Sequence, residues 1–267
     1  MSGGWGEGAA FAEAVRDYRW LLDRGYPDKA SLKLVGDRRR LEAAERLVLF
    51  RGVASAEASR RRVARLVAGA AGRLVLLDGY NVAFTVLHYL VGKPCFVGTD
   101  GLLRDAGANY GRVPREGLLE RAFAELGEAL AAEGVAAVEA WLDAPVSGSA
   151  GHAAVLAKAL EGKGFASRVA LARSADGAIL ARLEELGMRS ARNRPAENRA
   201  GEGAGDGAGA SREAAADPGW APLVASSDSA VADRSPAVFD LARRLLERRY
   251  GAAFRDLGEL AGGADGP

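Results

Sequence analysis

Hydrophobic residues recur at two different periods along this chain, and the change of period divides it. Up to about residue 70 the spacing is helical. Phe11, Val15, Tyr18 and Leu22 line one face of a helix over 9–22. Gly25-Tyr26-Pro27 breaks that helix, and Asp28 is placed to cap the next. Asp37 can cap another that runs to about Leu49, and Ser55 starts a last one that ends near Gly69. No strand pattern interrupts this stretch. Residues 1–72 therefore read as a small all-helical segment that packs on the domain after it.

From Arg73 the pattern alternates. Strands are predicted over 73–78, 135–142, 166–172 and 222–226. Helices are predicted over 82–91, 114–133, 150–162, 176–186 and 236–250, the last opened by Ser235-Pro236. Short strands over 94–99 and 102–104 flank Asp100-Gly101, a hairpin-turn signal. Leu74-Val75-Leu76-Leu77 is a continuous aliphatic run, as suits a parallel strand covered on both faces. Strands alternating with helices imply a layered α/β domain with a mostly parallel sheet over 73–255. Residues 187–219 break the pattern. Their glycines fall at every second position from Gly201 to Gly209, and so little apolar surface cannot order a chain. This stretch reads as a flexible insertion, and the tail from Gly262 to Pro267 as disordered.

Composition narrows the chemistry. The single cysteine, Cys95, excludes an internal disulfide and a cysteine metal cage, and reads as a core residue. Two histidines, His88 and His152, argue against a histidine-rich metal site. His88 sits in an apolar helical stretch and reads as a satisfied core residue. A bound metal would be held by carboxylates, which favours Mg²⁺ or Mn²⁺. No apolar run approaches the roughly 18 residues of a membrane span, and the first residues lack a secretory pattern. A cytoplasmic protein with no membrane partner is expected. Residues 1–72 carry 14 Lys/Arg against 9 Asp/Glu, so the net charge of +1 conceals a basic front and an acidic back. Arg38-Arg39-Arg40 and Arg60-Arg61-Arg62-Arg65 are phosphate contacts or solvated helix faces.

Three predicted strands end in aspartate: Asp78, Asp143 and Asp228. In a parallel sheet those ends share one edge. One such Asp is a turn former or cap, whereas three in one domain favour a site. Converging carboxylates raise one another's pKa and are best tolerated around a cation. The chemistry that uses such a set most is phosphodiester hydrolysis. Asp78, Asp143 and Asp228 are thus the candidate catalytic and metal-binding residues. Asp105 and Asp233 are further candidate metal ligands. Asp233 is otherwise a solvated loop residue, and Asp100 reads as structural. Asp176 is a cap or a further acid, with the cap favoured. Asn81 caps a helix at Val82, orients Asp78 or holds a metal-bound water. Ser147 and Ser149 open the helix after Asp143. Ser149 is a natural cap there, and a helix N-terminus also binds phosphate.

The stretch Leu76-Leu77-Asp78-Gly79-Tyr80-Asn81-Val82 resembles the opening of NYN domains, a branch of the PIN-like nucleases. Ala225-Ser226-Ser227-Asp228-Ser229 resembles the late Ser-x-Asp segment of that family. The likeness implies a Rossmann-like three-layer fold and Mg²⁺- or Mn²⁺-dependent ribonuclease activity. It also implies that Asp78, Asn81, Asp143 and Asp228 form the site. One position departs from the pattern. Where many such domains carry a second acid two residues after the last, this chain has Ala230, and Asp233 is the nearest substitute. Nearly the whole chain outside 187–219 also resembles the prokaryotic, largely archaeal family catalogued as domain of unknown function 434. The resemblance is carried by Arg24-Gly25-Tyr26-Pro27, Leu34-Val35-Gly36-Asp37-Arg38, Arg51-Gly52-Val53, Asp78 to Val82, Asp100-Gly101 to Arg104-Asp105 and Asp143 to Ser147.

These readings predict a metal-dependent ribonuclease with RNA as partner. The alternative is a weak or inactive RNA-binding relative. A phosphatase is a third option, weakened because Tyr80 stands where an aspartyl-phosphate enzyme needs a second Asp. The oligomeric state is left open, a homodimer being one option.

Overall fold

The computed structural model describes residues 8–107, 117–187 and 221–262. The basic segment folds as α1 (Ala9–Asp23), α2 (Asp28–Arg38), α3 (Ala43–Gly52) and α4 (Ala56–Val63). Next come β1 (Leu74–Asp78), α5 (Gly79–Leu90), β2 (Cys95–Val97), β3 (Leu103–Asp105) and α6 (Leu118–Ala132). They are followed by β4 (Ala137–Asp143), α7 (Ser149–Leu160), β5 (Ala166–Ala172) and α8 (Ala175–Glu185). The last described stretch holds β6 (Leu223–Ala225), α9 (Ser229–Arg234), α10 (Leu241–Tyr250), β7 (Arg255–Asp256) and α11 (Leu257–Gly262). The predicted insertion falls almost wholly outside the described residues, as do most of the predicted tail and the first residues of the helix expected from 114.

Four strands form a fully parallel sheet in the order β5-β4-β1-β6. Side chains alternate across it as the pleat demands. Val75 and Leu77 of β1, with Val138 and Ala140 of β4, face the core built by α5, α6, α7 and α10. Leu76, Trp141 and Val224 face the opposite way, against Ile179 and Leu183 of α8 and Val231 of α9. The sheet is thus the middle of three layers, as the uninterrupted aliphatic run of β1 requires. Gly79 fits α5 tightly to this sheet. A Cβ there would lie 2.5 Å from Leu142 Cδ2 and 3.1 Å from the Trp141 carbonyl oxygen.

A second, three-stranded sheet has the order β3-β2-β7. The hairpin read from Asp100-Gly101 is there, with β2 antiparallel to β3. β7 and α11 carry no sequence signal strong enough to predict. The first three N-terminal helices form a core with this small sheet, and α4 packs against α9. Phe11, Val15, Tyr18 and Leu49 share one core with Phe96 of β2 and Leu257 of α11.

Several boundaries differ from expectation, each for a local reason. Asp37 lies inside α2 and pairs with Lys33 and Arg46. The cap of α3 is Glu42, in a reciprocal capping box with Glu45. Ser235-Pro236 does not open a helix. Residues 236–239 run extended because Val238 bridges Val224 and Leu66, and α10 starts later, capped by Asp240. The Asp240 carboxylate also accepts from Leu103 N, and burial raises its pKa to about 6.

Buried charge ties the helical segment to the α/β domain. Arg62 of α4 donates Nε and Nη2 to the two oxygens of Asp233, at 2.9 and 2.7 Å. Its Nη1 donates to Asp100 Oδ2 at 2.9 Å and to Ser229 Oγ at 3.1 Å. Arg104 holds Asp100 from the other side at 2.6 and 2.8 Å. Burial pushes the Asp100 carboxyl up, but Arg104 and Arg62 outweigh it and hold it below its ordinary range. Removing one member of such a pair strands a buried charge, which typically costs about 3–5 kcal/mol. Arg62→Met should therefore lower the unfolding free energy by about 3 kcal/mol, read from urea denaturation. A loss under about 1 kcal/mol, the size of an exposed pair, would show that this network does not hold the segment.

Candidate functional site

The strand order places a crevice between β1 and β6. The chain moves outward from β1 through β4 to β5, then returns to the far side of β1 for β6. The connections on either side of β1 cover opposite faces, so the carboxyl ends of β1 and β6 open between them. Asp78 ends β1, and Ser226-Ser227-Asp228 follow β6 directly. Hydrogen bonds cross the gap. Ser226 Oγ donates to Asp78 Oδ2 at 3.1 Å, and Ser227 donates its N and Oγ to Asn81 Oδ1 at 2.8 and 3.0 Å.

Asp78 is buried and caps α5, its Oδ1 accepting from Asn81 N at 3.2 Å. Its carboxyl lies beside that of Asp176, in the first turn of α8. One proton between two carboxyls makes such a contact tolerable. Burial above all, and then the charge of Asp176, drive the Asp78 pKa well above the ordinary carboxylate range. The hydrogen bonds from Asn81 and Ser226 only moderate the rise. Burial also raises Asp176, helped by the charges of Asp228 and Asp143. Asp143 anchors the start of α8, its Oδ1 accepting from Ala175 N at 2.9 Å. Asp228 caps α9, its Oδ1 accepting from Ala230 N and Val231 N at 2.8 and 3.1 Å.

What sets this cluster apart is the company it lacks. Asp100 is held by Arg62 and Arg104, Asp105 by His88 and Arg51, and Glu139 by Arg182 and Arg168. Among the described residues, no Lys, Arg or His side chain pairs with Asp78, Asp143, Asp176 or Asp228. The carboxyl that acts most strongly on Asp78 is Asp176, ahead of Asp143. Among the described residues, no three His, Cys, Asp or Glu side chains form a group that could hold a metal ion by themselves.

The remaining sequence candidates fall in different places. Asn81 does not cap a helix. α5 starts earlier, at Gly79, and the Asn81 side chain instead grips Ser227. Ser149 is not a cap either. Gly148 holds that position, and Ser149 Oγ donates to the Ala144 carbonyl at 2.9 Å. Ser147 lies exposed in the same turn. Asp105 belongs to the small sheet and is buried, with His88 Nδ1 at 2.7 Å from its Oδ1. His88 is thus the satisfied core residue expected. Asp233 is occupied by Arg62. Arg61 of α4 and Arg65 just after it are also engaged: Arg61 with Glu57 and Asp233, and Arg65 with the Ala232 carbonyl. This places α4 against α9, beside Asp228.

Sequence reasoning passed over three residues at this edge. The sequence favours Asp176 as a cap, yet Ser174 caps α8, its Oγ accepting from Gly177 N at 3.3 Å, which leaves the Asp176 carboxyl available. Ser174, a favoured cap residue just before the apolar helix, is the signal for this. Tyr80 and His152 are the other two. Tyr80 Oη lies 2.8 Å from His152 Nδ1. Burial, with the nearby charge of Asp143, pushes the Tyr80 hydroxyl up to about 12.

Residues 10–65 match the family described as "Protein of unknown function (DUF434)", and residues 67–186 match "Domain of unknown function (DUF5616)". An uncharacterized protein of Methanocaldococcus jannaschii is 27% identical over 153 residues, which cover 57% of this chain and 71% of that relative. No solved structure matches the chain. Among the described residues, no helix is long and apolar enough to cross a membrane.

The raised acid pair has a signature in stability. Carboxyls whose pKa is raised by folding stabilise the protein while protonated, and that contribution is lost as pH rises through their folded pKa. Asp176→Asn keeps a neutral group at every pH. In metal-free buffer it should melt roughly 2–4 °C above the wild type at pH 8, the shift that about 1 kcal/mol makes in a chain of this size. The gap should close toward pH 4. A variant that melts lower at pH 8 would show that the pair is not strained.

Proposed function

We propose that the carboxyl edge of the parallel sheet is the active site of a Mg²⁺- or Mn²⁺-dependent ribonuclease, built on a PIN-like domain of the NYN type. The observation that carries this reading is the buried Asp78–Asp176 contact without a basic partner. A helix cap contributes about 0.5–2 kcal/mol, and Ser or Asn supplies it without a charge. Taking a carboxylate out of water costs several kcal/mol. Capping therefore does not account for the acid at 78, whereas a cation that compensates it does.

The donor set suits a hard ion. Every candidate ligand is a carboxylate oxygen, and Mg²⁺ commonly takes one or two carboxylates, several waters and the substrate's own phosphates. A two-carboxylate contact is enough for that mode. Asp78 and Asp176 would hold the ion, with Asp143 and Asp228 at its flanks. Such an ion, when bound, stabilises charge on the phosphoryl oxygens and lowers the pKa of water. Ser226 and Asn81 fix the geometry from the chain's side, the first bonded to Asp78 and the second to Ser227 across the crevice. Arg38, Arg40 and Arg60 are exposed on the helical segment and would track an RNA backbone.

One observation favours the second reading, an RNA-binding relative without turnover. Asp233, the nearest substitute for the acid missing at Ala230, is consumed by Arg62. RNA cleavage with Mn²⁺ by the wild type, Asp78→Asn and Asp176→Asn separates the two. The nuclease reading expects cleavage to fall at least ~100-fold in both variants, in line with other charge-stabilising residues. Mn²⁺ should raise the melting temperature of the wild type alone. Equal cleavage in all three would trace the activity to a contaminant or to another site. RNA binding without cleavage in the wild type would select the second reading.

A further inference from the structure

Resting on the nuclease reading, we infer that His152, oriented by Tyr80, is the general acid that protonates the leaving oxygen. Both residues stand at the carboxyl edge, Tyr80 in the first turn of α5 and His152 in the first turn of α7. The Tyr80 ring is fixed. It is 3% exposed and stacks on Phe84 at 5.4 Å with an interplanar angle of 9°. His152 meets it edge-on at 89°, with Nδ1 2.8 Å from the hydroxyl oxygen. That bond uses Nδ1 and leaves Nε2 for a second partner.

The loop beside the ring puts no side chain over Nε2. Gly148 has φ +79°, and a Cβ there would lie 3.3 Å from His152 Cε1 and 3.4 Å from Nε2. A side chain at 148 would cover the nitrogen that Tyr80 does not use.

The two faces of the sheet complete the arrangement. Asp78 and Asp143 share strand parity with Leu76 and Trp141, which face α8 and α9. Tyr80 and His152 come from α5 and α7, which cover the opposite face. A phosphodiester lying across the edge would meet Asp78 and Asp176 from the α8 side and the imidazole from the α7 side. In-line displacement needs opposed attacking and leaving sides. The step balances as follows. A water oxygen bonds to phosphorus while the bond from phosphorus to the leaving sugar oxygen breaks. The Nε2 proton of the imidazolium passes to that oxygen. Nδ1–H stays donated to Tyr80 Oη, and the proton lost by the attacking water returns to the ring through solvent.

Leaving-group chemistry tests this. Wild type, His152→Ala, His152→Gln and Tyr80→Phe are assayed with Mn²⁺ on an RNA oligonucleotide and on bis(p-nitrophenyl) phosphate. The p-nitrophenolate departs without a proton. General-acid catalysis contributes about 10²–10⁴-fold, so both His152 variants should lose about that factor in kcat on RNA, with KM little changed. On the activated ester they should lose only a few-fold. Tyr80→Phe, which removes a positioning residue, should show a smaller loss with the same selectivity for RNA. Gln retains a hydrogen bond to Tyr80, so its loss cannot be assigned to a broken staple. Equal losses on both substrates, or none on either, would overturn the role of His152 and leave the nuclease reading intact. A wild type that cleaves neither substrate would remove that reading, and this inference with it.

Discussion

The carboxyl group of Asp78 is the point on which the architecture turns. It ends the central strand, caps α5, receives Ser226 from the strand across the crevice and meets Asp176 from the opposite layer. Sheet, front helices and back helices thus converge on one side chain, and that side chain is out of water. The two hydrogen bonds it accepts do not offset burial, so its pKa remains raised. Stability alone would select a neutral cap here. The fold carries the acid at the place where open parallel sheets bind ligands.

Much of this was legible in the sequence because it follows from period. Leu74–Leu77 suits a strand covered on both faces, and strand–helix alternation from residue 73 implies the parallel sheet. The placement of Asp78, Asp143 and Asp228 at strand ends followed from the same pattern. Helix boundaries were less legible wherever a tertiary contact outweighed a local signal. Ser235-Pro236 has every mark of a helix start, yet the bridges of Val238 hold that segment extended. Ser149 looks like a cap, yet its hydroxyl serves the Ala144 carbonyl.

The site was legible only in part, for a different reason. Strand parity says which acids share an edge, but not which pair meets. Asp176 lies on a helix, outside the strand-end pattern, and reaches Asp78 because α8 crosses to the back face of the sheet. Tyr80 and His152 are 72 positions apart, and nothing local in either segment announces the other. The arginines of α4 show the converse. A basic run in a sequence suggests an exposed grip, whereas Arg62 is 8% exposed and bonded to Asp100, Asp233 and Ser229. The carboxylates that neutralise it come from distant parts of the chain.

Arg62 bears on how the chain is divided. The two matching family models meet between residues 65 and 67, just after α4, and a reader of those boundaries would cut the protein there. The charge does not respect the cut. Arg62 lies on one side of it, and Asp100, Ser229 and Asp233 on the other. A chain holding only the later part would keep Asp100 on Arg104 but leave Asp233 without the Arg62 guanidinium, close to the turn that carries Asp228. The helical segment is therefore a prosthesis for the α/β domain as much as its neighbour, supplying from outside a charge that the domain lacks.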